Sequence, residues 1–261
     1  MTILDKIIER KKIEVAEAKK QVSLEELEQY PFFSRTCYSL KDYVLHPERT
    51  GIIAEFKRAS PSKGLINGTS SVAEVVQGYQ KAGASAVSVL TDPDFFKGSL
   101  ADLSSARDVL TIPLLRKEFI IDTYQIAEAK AYGADIILLI AACLNSDEIK
   151  AYSDYAKSLG LSVLLEVHNE EELQRNIFDS VDAIGVNNRN LKDFVVDLNH
   201  SYDLVNIIPD RFIKVSESGI SDPKTINELK DAGFQGFLVG ENFMKTADPA
   251  EAIKAFVGKL L

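Results

Sequence analysis

Residues 126–140 read IAEAKAYGADIILLI, and residues 155–167 read YAKSLGLSVLLEV. Each stretch begins as a helix, passes one glycine and continues as a run of Val, Ile and Leu. The same recipe recurs in QGYQKAGASAVSVL at 77–90 and LKDAGFQGFLVG at 229–240. Gly83, Gly133, Gly160 and Gly233 stand where a helix C-terminus calls for left-handed backbone, which glycine adopts at least cost. The apolar runs are continuous rather than alternating, the pattern of parallel strands covered on both faces.

Working outward, eight such runs begin near Gly51, Ala84, Ile112, Ala134, Leu161, Ala183, Arg211 and Gly236. Their spacing of roughly 26 residues matches one strand plus one helix. Asp122-Thr123, Ser146-Asp147 and Ser221-Asp222-Pro223 read as helix starts, and a short helix is expected near 199–206. Eight β/α units predict an α/β fold, a (β/α)8 TIM barrel over residues 51–261. The GxGxxG turn of a dinucleotide-binding open sheet and the GxxxxGK phosphate loop are both absent. Residues 1–50 form an N-terminal helical extension, so the whole chain, 1–261, reads as one barrel domain. Ile3, Leu4, Ile7, Ile8 and Val15 give this extension an apolar stripe with Lys and Arg on the other face. It packs on the barrel wall, covers its mouth, or does both.

The 261 residues carry a formal charge of −9, which argues against a nucleic-acid partner. Cys37 and Cys143 form no CxxC pair and read as reduced thiols, pointing to the cytoplasm. The longest apolar run, Ile136 to Leu144, is far too short to span a bilayer.

The C-terminal strand ends of a TIM barrel carry its active site. Here those ends supply Glu55 and Lys57 on the first strand, Lys117 on the third, Glu166 on the fifth, Asn187 and Arg189 after the sixth, and Glu217 on the seventh. One lysine or glutamate at a strand end is usually solvated, but five converging on one rim point to a site. The opposite rim shows no comparable set. Glu118 has the opposite parity to Lys117 and reads as a partner within the barrel wall. His46, His168 and His200 read as bystanders, leaving no metal constellation and no cofactor. Loops after the last two strands, with Ser218, Gly219, Gly240 and Glu241, have the placement of a barrel phosphate site. Glu241 would contribute its backbone amide, with its carboxylate pointing away.

The stretch from Ile52 to Ser62, IIAEFKRASPS, resembles the signature of the indole-3-glycerol phosphate synthases. Leu115–Phe119, Leu164–Val167, Gly185–Arg189 and Val215–Ile220 are similar to that family's other motifs, in order, and the resemblance covers essentially the whole chain. It departs at Asn242, Phe243 and Lys245, where the family more often has a small residue, Leu and Arg. The resemblance implies ring closure of 1-(2-carboxyphenylamino)-1-deoxyribulose 5-phosphate with loss of carbon dioxide and water. It implies catalytic roles for Glu55, Lys57, Lys117, Glu166, Asn187 and Glu217, with Lys117 as general acid. Substrate contacts fall to Ser60, Phe96, Phe119, Leu138, Arg189 and Leu191, and the phosphate to Ser218, Gly219, Gly240 and Glu241. The expected partner is a small phosphorylated substrate, with no metal or cofactor, no nucleic acid and no membrane, in a monomer or weak homo-oligomer. The Ser60–Gly64 turn would be a lid. The competing readings are another sugar-phosphate barrel enzyme such as phosphoribosylanthranilate isomerase, a Schiff-base aldolase, and a barrel kept for binding alone.

Overall fold

A computed structural model of the chain describes residues 2–191 and 194–260. Strands β1 (Ile52–Phe56), β2 (Ala86–Leu90), β3 (Leu114–Lys117), β4 (Ile136–Ile140), β5 (Ser162–Val167), β6 (Ala183–Asn187), β7 (Ile213–Glu217) and β8 (Gly236–Val239) are all parallel to their neighbours. They close in sequence order, with β8 paired to β1. Each begins within two residues of the start read from the sequence. The result is a TIM barrel.

Three helices precede the barrel: α1 (Ile3–Gln21), α2 (Leu24–Leu27) and α3 (Leu40–Val44). Between consecutive strands lie α4 (Val72–Lys81), α5 (Leu100–Val109), α6 (Thr123–Ala131), α7 (Ser146–Ser158), α8 (Glu170–Arg175), α9 (Asn199–Leu204) and α10 (Pro223–Ala232). After β8 come α11 (Glu241–Met244) and α12 (Pro249–Val257). Gly83, Gly133, Gly160 and Gly233 all have positive φ, between 77° and 115°. Asp122 caps α6 and Asp222 caps α10, with Pro223 in the first turn. The cap of α7 is Asn145, one residue before the expected Ser146, because Asn145 forms a reciprocal capping box with Glu148.

Strand alternation divides the core in two. Ile52, Ala54 and Phe56 pack outward against the helices, while Ile53 joins Leu115, Leu164, Val215 and Leu238 inside the barrel. The inner cluster also holds Leu40 and Val44 of α3, which plug the N-terminal end. The N-terminal extension is therefore divided: α3 closes the base, while Ile3, Leu4 and Ile7 of α1 reach the mouth. Further along, α1 packs against the barrel exterior, where Tyr124 of α6 donates a hydrogen bond to the Val22 carbonyl at 2.9 Å. Wall packing and mouth cover both hold. The expected all-cationic outer face fails at Lys11, which is buried.

At the base, where no set of strand residues comparable to the mouth is expected, a buried carboxylate lies just ahead of a strand. Asp135, immediately before β4, is fully buried between Arg35 and Arg107. Among the described residues, no helix is long and apolar enough to cross a membrane.

Candidate active site

Inside the barrel, residues facing the axis change from apolar to ionisable as each strand approaches its C-terminal end. Ile53 is followed two residues later by Glu55, Leu115 by Lys117, Leu164 by Glu166, and Val215 by Glu217. Period-two alternation forces each polar group onto the same inner face as its apolar predecessor. These groups meet beneath a cavity of about 550 Å³ at the mouth.

Lys117 is the hub. Its ammonium lies 2.9 Å from Glu217 Oε2 and 3.4 Å from Glu166 Oε2. Lys57 pairs with Glu55 at 2.9 Å. Asn187 donates its amide to Glu166 Oε1 at 3.0 Å and accepts, at Oδ1, from the Ser218 hydroxyl and the Arg189 N–H, each at 2.9 Å. These bonds orient Glu166 without consuming Lys117.

The charges follow from this arrangement. Burial opposes an ammonium at Lys117, but Glu217, Glu166 and Glu55 outweigh it and hold its pKa above the ordinary value. Burial also opposes carboxylate at Glu55, where Lys57 and Lys117 prevail and lower the pKa. Glu166 is lowered in the same way, against burial, by Lys117, His168 and the Asn187 bond. Glu217 goes the other way: burial, reinforced by repulsion from Glu166, pushes it up to about 7 despite Lys117. Its Oε1 is buried without a hydrogen-bond partner.

The sequence-derived residues Ser60, Phe96, Phe119, Leu138, Arg189 and Leu191 line the cavity, as do Ser218, Gly219, Gly240 and Glu241. Glu217 alone of the sequence-derived set does not. It sits below the floor, in contact with Lys117. Phe96 and Phe119 stand 6.0 Å apart, centroid to centroid, as an aromatic wall. At the opposite side, Ser218 and Gly219 have consecutive left-handed backbones, with φ of 70° and 81°. The non-glycine Ser218 is held there by its hydroxyl bond to Asn187. The Glu241 carboxylate lies 3.6 Å from Arg189 and 3.7 Å from Lys63. Phe243 is core, packed against Tyr79 and Phe256, and Asn242 donates to the Ser221 carbonyl.

A model of the indole-3-glycerol phosphate synthase family matches residues 4–256. The chain belongs to that family. It is 47% identical over 255 residues to the indole-3-glycerol phosphate synthase of Bacteroides thetaiotaomicron, covering 98% of this chain and 97% of that one. The enzyme of that name from Campylobacter jejuni is 42% identical over 259 residues, covering 98% and 100% of the two chains. Among solved structures, a chain of the tryptophan synthase complex from Pyrococcus furiosus superposes with a TM-score of 0.61 at 19% identity, covering 81% of this chain and 98% of that one. That likeness shows the shared barrel fold.

Sequence reasoning passed over several residues that shape this synthase-family site. A Cβ on Gly185 would lie 2.1 Å from Glu217 Oε1, so this glycine makes room for the carboxyl below the floor. A Cβ on Gly240 would come within 2.7 Å of Glu55 Oε1, giving that glycine a duty toward Glu55 as well as toward its loop. A glycine two residues before Asn187 in a strand could have signalled such a close approach. His168 is no bystander: its ring lies 3.6 Å from Glu166 and 3.4 Å from Glu172. Burial disfavours its charged form, yet Glu172 and Glu166 raise its pKa. Glu118 is the wall partner expected of it, held by Thr91 and Arg116, and it also reaches the cavity edge.

Proposed function

We propose that the residues at this mouth carry out the reaction of the synthase family as follows. The chain is an indole-3-glycerol-phosphate synthase, a carboxy-lyase of tryptophan biosynthesis. It converts 1-(2-carboxyphenylamino)-1-deoxyribulose 5-phosphate into indole-3-glycerol phosphate, carbon dioxide and water. Atoms and electrons balance without an oxidant or reductant.

The aryl ring sits against Phe96, Phe119, Leu138 and Leu191, and the phosphate between the Ser218-Gly219 and Gly240-Glu241 loops. Lys63 and Arg189, paired loosely with Glu241, supply positive charge at the phosphate end. The ring carbon bearing the carboxylate attacks the ribulose ketone, and Lys117 protonates the oxygen as negative charge gathers there. The bond to the carboxylate breaks, carbon dioxide leaves, and its electron pair restores aromaticity. The nitrogen lone pair then expels the new hydroxyl, which departs as water with a proton from Lys57. Glu55 keeps Lys57 charged for that step. Glu166 stabilises the positive charge arising on nitrogen, and a rim carboxylate removes the adjacent methylene proton. Glu217 and Asn187 hold Lys117 and Glu166 in place. Ser60 contacts the substrate, and the hairpin of Ala59–Ser60 with Gly64–Leu65 acts as a lid. We place this single barrel domain in the cytoplasm as a monomer or weak homo-oligomer; Cys37 and Cys143 are both free.

The observation carrying this reading is the single ammonium of Lys117 held between two buried carboxylates under an aromatic-walled cavity. The test mixes purified protein, EDTA and the carboxyphenylamino substrate and follows indole fluorescence. Wild type is expected to form product, and Lys117→Ala to lose about 10³-fold in kcat while remaining folded. Full activity in Lys117→Ala would refute its role as acid. Borohydride is expected to leave the wild type active in the presence of substrate, because ring closure passes through no imine; inactivation would favour an aldolase.

A further inference from the structure

Ile3, Ile7, Lys11 and Val15 recur every four residues and so share one face of α1. Ile3 and Ile7 line the cavity, and Val15 is buried. Lys11 occupies the same apolar face and is only 3% exposed. Its ammonium lies 2.6 Å from Glu14 Oε2, 3.0 Å from Asp92 Oδ2 and 3.0 Å from Glu118 Oε1.

The last two carboxylates have a second duty. Asp92 Oδ1 accepts the N–H groups of Phe95 at 2.7 Å and Phe96 at 3.2 Å. Glu118 Oε1 accepts the N–H of Phe119 at 2.8 Å. Glu118 Oε2 is occupied by the Thr91 hydroxyl at 2.7 Å. One ammonium thus clamps the two carboxylates that seat the backbone of Phe96 and Phe119, the pair forming the aromatic wall. Without it, buried Asp92 would lose its ion pair and Glu118 would keep only the longer one to Arg116 at 3.8 Å, so the two carboxylates would repel and move the residues they hold.

We propose that Lys11 is a positioning residue that ties α1 to the aromatic wall and thereby sets how tightly the aryl half of the substrate is held. The proposal rests on the ring-closing reading of the cavity. It separates Lys11 from the phosphate end, which is formed by other loops and, among the described residues, receives no hydrogen bond or ion pair from this cluster.

The experiment compares wild type, Lys11→Met and Lys11→Arg for kcat and KM with the carboxyphenylamino substrate, and for inhibition by inorganic phosphate. For Lys11→Met, KM is expected to rise about tenfold with kcat changed less than about threefold. The inhibition constant of inorganic phosphate stays unchanged. Lys11→Arg, which keeps the charge, restores part of the affinity. In a Phe96→Leu background, the effect of Lys11→Met on KM shrinks, since the wall it acts through is already lost. An unchanged KM overturns the proposal, and so does weaker phosphate inhibition in proportion to KM, which would signal general loosening. If Lys11→Met does not fold, Lys11→Gln, which keeps hydrogen-bond donors but loses the charge, decides: a KM increase of about twofold or more with constant phosphate inhibition supports the proposal, and wild-type KM overturns it. Wild-type turnover is the control. Its absence would remove both the synthase reading and this one, whereas normal wild-type turnover with an unaffected lysine variant removes this one alone.

Discussion

The two ends of the barrel bury the same kinds of side chain and use them differently. At the base, Asp135 Oδ1 accepts from Arg35 and from the Tyr38 N–H, while Oδ2 accepts from Arg107 and from the Leu114 N–H. Each oxygen has two donors, so the carboxylate is fully engaged within the protein. At the mouth, Lys117 faces a cavity, and Glu217 keeps one buried oxygen without a donor. A buried ion pair is therefore not a mark of catalysis in itself. What distinguishes the mouth is a charged group, Lys117, that faces open volume, the condition for exchanging a proton with something that arrives.

Three substitutions would break or sharpen this contrast. Asp135→Ala strands Arg107 among apolar neighbours and leaves two backbone N–H groups unpaired. The expected loss is about 3–5 kcal/mol, or a fall in Tm of roughly 10 °C, with kcat of the folded fraction nearly unchanged. A Tm within a degree or two of wild type would mean that the base is not held by this carboxylate. Gly185→Ala drives a methyl group into the space of Glu217 Oε1. Because Glu217 pairs with Lys117 at 2.9 Å, kcat/KM is expected to drop roughly thirtyfold with a smaller effect on Tm than Asp135→Ala. A kcat/KM within twofold of wild type would show that the carboxyl can move without consequence.

Glu217→Gln has the smallest expected effect, and its sign depends on pH. The folded-state pKa of Glu217 is raised, so the native state holds the proton longer than the unfolded chain does. Native Glu217 is neutral at pH 5 and costs little there. As pH rises from about 4.5 towards about 7, ionisation penalises the native state, and the penalty is complete above that. Replacement by neutral glutamine removes it. The Tm of Glu217→Gln relative to wild type is thus expected to be higher at pH 8 than at pH 5, by roughly 5 °C. An equal difference at both values would show that Glu217 titrates normally.

Much of the mouth is legible in the chain itself. An axis-facing strand position is defined by parity, and Glu55, Lys117, Glu166 and Glu217 each follow an apolar residue of the same parity. Lys11 was legible too, since it falls at a four-residue interval from Ile7 and Val15. The assumption that a lysine seeks solvent hid it. Asp135 escaped, although the run reads from Ala134, because its partners Arg35 and Arg107 are 100 and 28 residues away.

The sequence by itself determined the repeated β/α unit, the positions of its strands and the inward face of each, because glycine at helix ends and period-two alternation act over a few neighbouring residues. Tertiary structure decided which groups share protons and charge. Whether Glu217 is a carboxylate or an acid depends on its distance from Glu166 and Lys117 and on the gap left by Gly185. Whether Lys11 is solvated depends on Asp92 and Glu118 meeting it from two other strand ends. Such distances arise only on barrel closure, and electrostatic energies in a buried, low-dielectric setting follow distance in space rather than separation along the chain.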